Sequence, residues 1–99
     1  MNAVMKSASP NTVLEITVDN HPGVMLHVCS LFSRRAYNVE GILCMPIGDG
    51  SESRIWLLVK TDRQVEQIVK QLRKLEDVRD VREHGDGHEI FVRLEEFFR

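Results

Sequence analysis

The stretch Val13-Leu14-Glu15-Ile16-Thr17-Val18-Asp19-Asn20-His21-Pro22-Gly23-Val24 changes period partway along. Its first half alternates. Leu14, Ile16 and Val18 point one way and Glu15, Thr17 and Asp19 the other, which predicts a strand with one buried face. Asn20-His21-Pro22-Gly23 reads as a turn. Beyond it the apolar residues Val24, Val28, Leu31 and Phe32 recur at helical spacing. Asn20 is placed to cap that helix, and Pro22 is tolerated only near a helix start, so the helix begins close to Gly23. Arg34 and Arg35 suit its carbonyl-rich end, and Tyr37-Asn38 closes it.

The same order then repeats. Val39 to Ile47 reads as a strand, Gly48-Asp49-Gly50-Ser51 as a hairpin loop and Arg54 to Lys60 as the returning strand. Thr61-Asp62-Arg63-Gln64 has capping-box spacing, with Thr61 as cap and Gln64 reaching back. Val65, Ile68, Val69, Leu72 and Leu75 follow as one helix face. Val78 to Glu83 is a charged strand suited to a sheet edge. Ile90, Val92 and Leu94 alternate and suggest a fifth strand; a short helix over Leu94 to Phe98 is the other reading. Two strand–helix–strand units in tandem predict an α+β, ferredoxin-like βαββαβ sandwich, a four-stranded antiparallel sheet with two helices on one face. Residues 1–11 read as a flexible N-terminal arm, 12–85 as the folded domain and 86–99 as a C-terminal tail.

The strands in the middle of the chain are apolar on both faces. Ile42 and Cys44 alternate with Leu43, Met45 and Ile47, and Ile55, Leu57 and Val59 with Trp56 and Leu58. An antiparallel sheet with one wet face alternates apolar with polar. Two helices cover one face, so the tail, a second copy or another protein must cover the other.

Composition narrows the function classes. The chain has 99 residues, 42% hydrophobic and 28% charged, with 15 acids against 13 Lys and Arg. That is one globular domain without the clustered cations that nucleic-acid binding needs. No apolar run approaches the roughly 20 residues of a membrane span. The first ten residues hold no signal-peptide core, so a cytoplasmic protein is expected. Cys29 and Cys44 lie in apolar segments without a CxxC pair. They read as reduced buried thiols, with a disulfide or reactive thiol as the alternative. His84 and His88 have the spacing of half a zinc site but lack nearby partners in sequence, so a solvated loop is expected there and no metal. Ser30, Ser33, Cys29 and Cys44 come with no base–orienter set, and the pairs Glu76-Asp77 and Glu95-Glu96 read as solvated charge. No catalytic residues are expected.

What remains is the loop Asn20-His21-Pro22-Gly23-Val24-Met25. A helix start offers unpaired N–H groups to a carboxylate, and Gly23 leaves the backbone open to close approach. Asn20 and Asn38 carry amide oxygens that accept from an ammonium group. The set suits a free α-amino acid; an ordinary capped turn uses the same residues.

Asn20-His21-Pro22-Gly23-Val24 at a strand–helix junction resembles the ligand loop of ACT domains. Leu31-Phe32-Ser33-Arg34-Arg35-Ala36-Tyr37-Asn38-Val39-Glu40-Gly41-Ile42, with Leu72-Arg73-Lys74-Leu75-Glu76-Asp77-Val78, resembles the small regulatory subunits of acetohydroxyacid synthase (acetolactate synthase) over nearly the whole chain. The length matches their short, valine-sensitive type I form. Gly41 and Cys44 stand where Ser and Val are usual. The resemblance implies a non-catalytic, cytoplasmic ACT homodimer that binds the catalytic large subunit, raises its activity and confers feedback inhibition by valine. Thiamine diphosphate, Mg²⁺ and FAD are then expected on the large subunit, with no cofactor or metal here and neither nucleic acid nor membrane as partner. The valine site implied is Asn20, His21, Pro22, Gly23, Val24 and Met25 of one copy facing Asn38 and Val39 of the other. A stand-alone ACT sensor regulating another protein is the competing reading.

Overall fold

The computed structural model describes residues 11–85 and 88–99. The alternation of the first segment becomes strand β1 (Asn11–Asp19), followed by helix α1 (Val24–Arg34) and the hairpin β2 (Val39–Ile47) and β3 (Glu52–Lys60). Helix α2 (Gln64–Lys74), strand β4 (Val78–His84), helix α3 (Glu89–Glu95) and a 3-10 turn (Glu96–Phe98) complete the chain. The sheet order is β2-β3-β1-β4 with every neighbouring pair antiparallel. This is the ferredoxin-like sandwich that the repeated strand–helix–strand pattern predicts. β4 lies at one edge as its charge suggests, and β2 at the other. Most of the proposed N-terminal arm, residues 1–10, lies outside the described residues, while Asn11 already pairs with Lys60.

The core forms where the helix stripes meet the sheet. Val24, Val28, Leu31 and Phe32 of α1 and Val65, Ile68, Val69 and Leu72 of α2 are all buried. They pack over Leu14, Ile16, Val18, Ile55, Leu57, Val59 and Val81. Phe32 meets Tyr37 edge-to-face, with ring centroids 6.0 Å apart. The Tyr37 hydroxyl donates to the Lys60 carbonyl and to Asp62 Oδ1 at 3.3 Å, which pins the turn carrying Asn38. Burial, then Asp62, pushes the Tyr37 hydroxyl up to about 12, so it stays a donor at physiological pH.

Four local expectations are corrected, the fourth at His84 and His88 below. Asn20 does not cap α1, because its Nδ2 donates to the Gly50 carbonyl at 2.8 Å; the N-cap is Gly23, with no side-chain cap bond. The Thr61–Gln64 capping box does not form. Thr61 Oγ1 bonds Thr12 Oγ1 at 2.7 Å, and Asp62 Oδ1 takes the Gln64 N–H at 2.6 Å instead. Of the two readings of the tail, the strand gives way to the helix, which begins at Glu89 rather than Leu94 and ends in the 3-10 turn Glu96–Phe98, because the tail lies across the outer sheet face rather than along an edge.

That tail covers part of the second apolar face. The Phe91 ring fills the space beside Gly41, so close that a Cβ there would lie 2.9 Å from Phe91 Cε1 and 3.3 Å from Leu58 Cβ. His84 and His88 are not in a solvated loop. The His88 ring stands 5.0 Å from Trp56 and 4.6 Å from His84, and its Nδ1 accepts the Ile90 N–H at 3.1 Å to cap α3. His84 Nε2 meets Glu15 Oε1 at 2.8 Å. Gly41→Val is therefore expected to displace the ring, and the tail with it, at a cost of about 1–3 kcal/mol. Limited proteolysis checks this. Cleavage between His84 and His88 should become faster while the rest of the domain stays resistant, and an unchanged rate would mean that the ring does not hold the tail.

Candidate functional site

The loop at the end of β1 is tied down on both sides. The Asn20 N–H donates to the Ser51 carbonyl at 3.0 Å, and the Asn20 side chain holds Gly50 in the same hairpin. The hairpin is itself set by Asp49 Oδ1, which accepts from the Ser51 N–H at 2.9 Å and its Oγ at 2.7 Å. These two bonds hold the Asp49 carboxyl below its usual range. On the other side the Asp19 N–H donates to the Asp77 carbonyl at 2.9 Å. Arg79 grips the Asp19 carboxylate through two bonds of 2.8 and 2.6 Å, and this holds that carboxyl low.

Gly23 turns the chain into α1. Its φ of +90° is a left-handed conformation that L side chains rarely adopt, and a Cβ built on it meets nothing within 4 Å. The backbone here is thus open to close approach. Of the N–H groups at the helix start, Val24's is committed to the His21 carbonyl at 3.3 Å. Those of Gly23 and Met25 have no partner among the described residues. They point, with the helix dipole, to a place where a carboxylate is stabilised. Asn20, His21, Pro22 and Gly23 are exposed, Met25 is half-buried, and the Val24 side chain is committed to the core. Asn20 Oδ1, opposite the donating Nδ2, remains the amide's acceptor.

Asn38 and Val39 are not beside this loop within one chain. Val39 pairs with Val59, which pairs with Thr12, whereas Asn20 follows Asp19, which pairs with Glu52. Seven strand steps from Thr12 to Asp19 span about 24 Å. Asn38 is exposed at the far end, and Val39 is half-buried against the core.

The two cysteines are free and half-buried. Burial, with a smaller contribution from Cys29, pushes the Cys44 thiol up, which makes it a poor nucleophile. Asp77 is the residue that sequence reasoning missed. Far from being solvated charge, its carboxylate meets His21 Nε2 at 2.7 Å and His27 Nδ1 at 3.5 Å. No local signal marks it, since its partners lie on another strand–helix junction. Among the described residues, no helix is long and apolar enough to cross a membrane.

Strand order, helix placement and the open glycine turn after β1 make this an ACT-domain protein. An ACT domain from the GTP pyrophosphokinase of Chlorobium tepidum superposes with a TM-score of 0.65 at 14% identity, covering 77% of this chain and 99% of that one, a likeness of fold alone. The acetolactate synthase small subunit of Thermotoga maritima superposes with a TM-score of 0.67 at 34% identity, covering 81% of this chain and 50% of that one. Residues 14–80 match the family described as the AHAS small subunit-like ACT domain. The chain is 54% identical to the acetolactate synthase isozyme 1 small subunit of Escherichia coli over 90% of its own length and 93% of that protein's. It is 39% identical to the isozyme 3 small subunit of the same organism over 79% of this chain and 48% of that one. The chain belongs to the acetolactate synthase small-subunit family.

Proposed function

We propose that this chain is the non-catalytic regulatory subunit of an acetolactate synthase, binding the catalytic large subunit, raising its activity and conferring feedback inhibition by valine. The observation that carries the reading is the 54% identity to the isozyme 1 small subunit over nearly the full length of both chains. In this reading thiamine diphosphate, Mg²⁺ and FAD belong to the catalytic subunit, this chain holds no cofactor, and the complex is cytoplasmic.

The effector is held between two copies. β2 is an edge strand with apolar residues still exposed, Ile42 at 43% and Met45 at 59%. Antiparallel pairing of two β2 edges about a two-fold axis sets the Val39 end of one copy beside the Ile47 end of the other. Ile47 pairs with Glu52, which pairs with Asp19, so that end is where the Asn20–Met25 loop begins. The valine carboxylate takes the Gly23 and Met25 N–H groups, its ammonium group takes the amide oxygens of Asn20 and of Asn38 from the second copy, and its side chain lies against Val39. Valine then biases how the pair engages the large subunit, with coupling of about 1–3 kcal/mol.

The test is reconstitution. The purified chain is mixed with an acetolactate synthase large subunit. Higher activity than the large subunit alone, together with inhibition by valine, is expected. Failure to co-purify with any large subunit while still binding valine would favour the stand-alone sensor.

A further inference from the structure

We infer that Asp77 is the positioning residue of the effector loop, and that the protonated His21 it holds links valine affinity to pH. The inference rests on the effector reading above and names a regulation of that same site. Asp77 sits in the turn between α2 and β4, yet it contacts the loop's surroundings at three points. Its carbonyl accepts the Asp19 N–H at the end of β1. Its Oδ1 lies 2.7 Å from His21 Nε2 in the loop, and its Oδ2 lies 3.5 Å from His27 Nδ1 in the first turns of α1. One side chain therefore clamps the segments immediately before and after Gly23.

The clamp is complete only with a protonated imidazole. His21 Nδ1 lies 2.8 Å from the Pro22 carbonyl, while Nε2 faces the Asp77 carboxylate. Both partners are acceptors only. A neutral imidazole has one N–H and satisfies one of them, leaving its other lone pair against an oxygen; the imidazolium satisfies both. The acceptors around the ring act in the same direction and outweigh its partial burial. Asp77 foremost, then the Pro22 carbonyl, with Asp19 adding, hold the His21 imidazolium above its usual value. His27 on α1 and Arg79 on β4 are the facing cations, with Arg79 spent on Asp19.

The sign follows. The His21 clamp is fully present below the ordinary imidazole value of about 6.5 and is lost as pH rises through the raised one. The Pro22 carbonyl and the Gly23 N–H are the two ends of one planar peptide unit, so releasing His21 frees the unit that carries a donor offered to the valine carboxylate. Valine should bind more tightly at low pH. His21 is exposed, and an exposed pair sets the scale at roughly a threefold weakening across the titration.

The experiment is calorimetric titration of the full chain with valine from about pH 6 to about pH 8.5, which spans the imidazole transition while valine remains a zwitterion. Wild-type chain should lose roughly threefold in affinity. Asp77→Asn keeps an acceptor but removes the charge, so its transition should move to lower pH. His21→Gln, whose amide does not titrate, should show a flat profile. Ring-proton titration of His21 by NMR in the wild-type chain is the check that needs no variant, and a transition at or below the ordinary imidazole value would overturn the inference. So would pH-independent valine binding, or an Asp77→Asn profile that superposes on wild type; either leaves the effector reading standing. No valine binding at any pH would remove that reading and this inference together.

Discussion

Gly23→Asp should leave the activation of the large subunit intact and abolish its sensitivity to valine. Two effects act in the same direction. At φ +90° a side chain is strained whatever the space around it, so the turn that presents the N–H groups of Gly23 and Met25 must shift. The new carboxylate also competes for the place where the ligand's carboxylate is held. Losing a charge-assisted hydrogen bond costs about 2 kcal/mol, or about thirtyfold in affinity, so half-inhibition should need at least that much more valine. Val24 and Val28 stay in the core and Gly23 is exposed, so the domain should still fold and dock. A valine titration of the reconstituted enzyme decides it. An unchanged inhibition curve would take this loop out of the site.

Valine alone should raise the melting temperature of the isolated chain. A ligand that binds only the folded state stabilises it by about 2.7 kcal/mol at 100 times its dissociation constant. In a domain of this size that amounts to roughly 10 °C or more. The specificity follows from the walls. Met25 and Val39 are half-buried against the core and present an aliphatic surface. Lysine and aspartate would press a charge against it, and threonine would bury a hydroxyl without a partner. A melting series with the four amino acids at matched concentrations should therefore show a large shift for valine, a smaller one for threonine and little for the other two. Equal shifts from all four, or none from valine, would defeat the pocket.

The parts of the fold that were readable are those fixed by period. Leu14, Ile16 and Val18 alternate because β1 has a buried face, and Val24, Val28, Leu31 and Phe32 recur because α1 does. What failed was the assignment of polar side chains to near neighbours. Asn20 was expected to cap its own helix, but the Gly50 carbonyl, thirty residues away, takes its amide. Thr61 was expected to cap α2 and instead meets Thr12, forty-nine residues away. Asp77 fails for the same reason, its partners being brought to it only by the antiparallel pairing of β1 with β4. The tail illustrates a different limit. Ile90, Val92 and Leu94 alternate well enough for a strand, and nothing local shows that Phe91 has a glycine-sized notch waiting on β2. Gly41 leaves the room that this ring takes. The loop residues of the candidate site were legible as chemistry. That Asn38 stands a sheet's length away from them is a matter of topology, and it follows only once the strand order is known.

The two edges of the sheet are protected very differently. β4 carries Arg79, Asp80, Arg82 and Glu83 along its length, charges that deter another strand from adding to it. β2 offers Gly41, Ile42, Leu43, Cys44 and Met45 with only Pro46 to interrupt the ladder. A copy that has found no companion thus exposes a sticky, half-apolar ribbon, the kind of template on which chains aggregate. Solubility is then tied to pairing. In the dimer proposed above each copy hides the other's ribbon, and a substitution that keeps the copies apart without adding charge to β2 should drive the chain towards inclusion bodies.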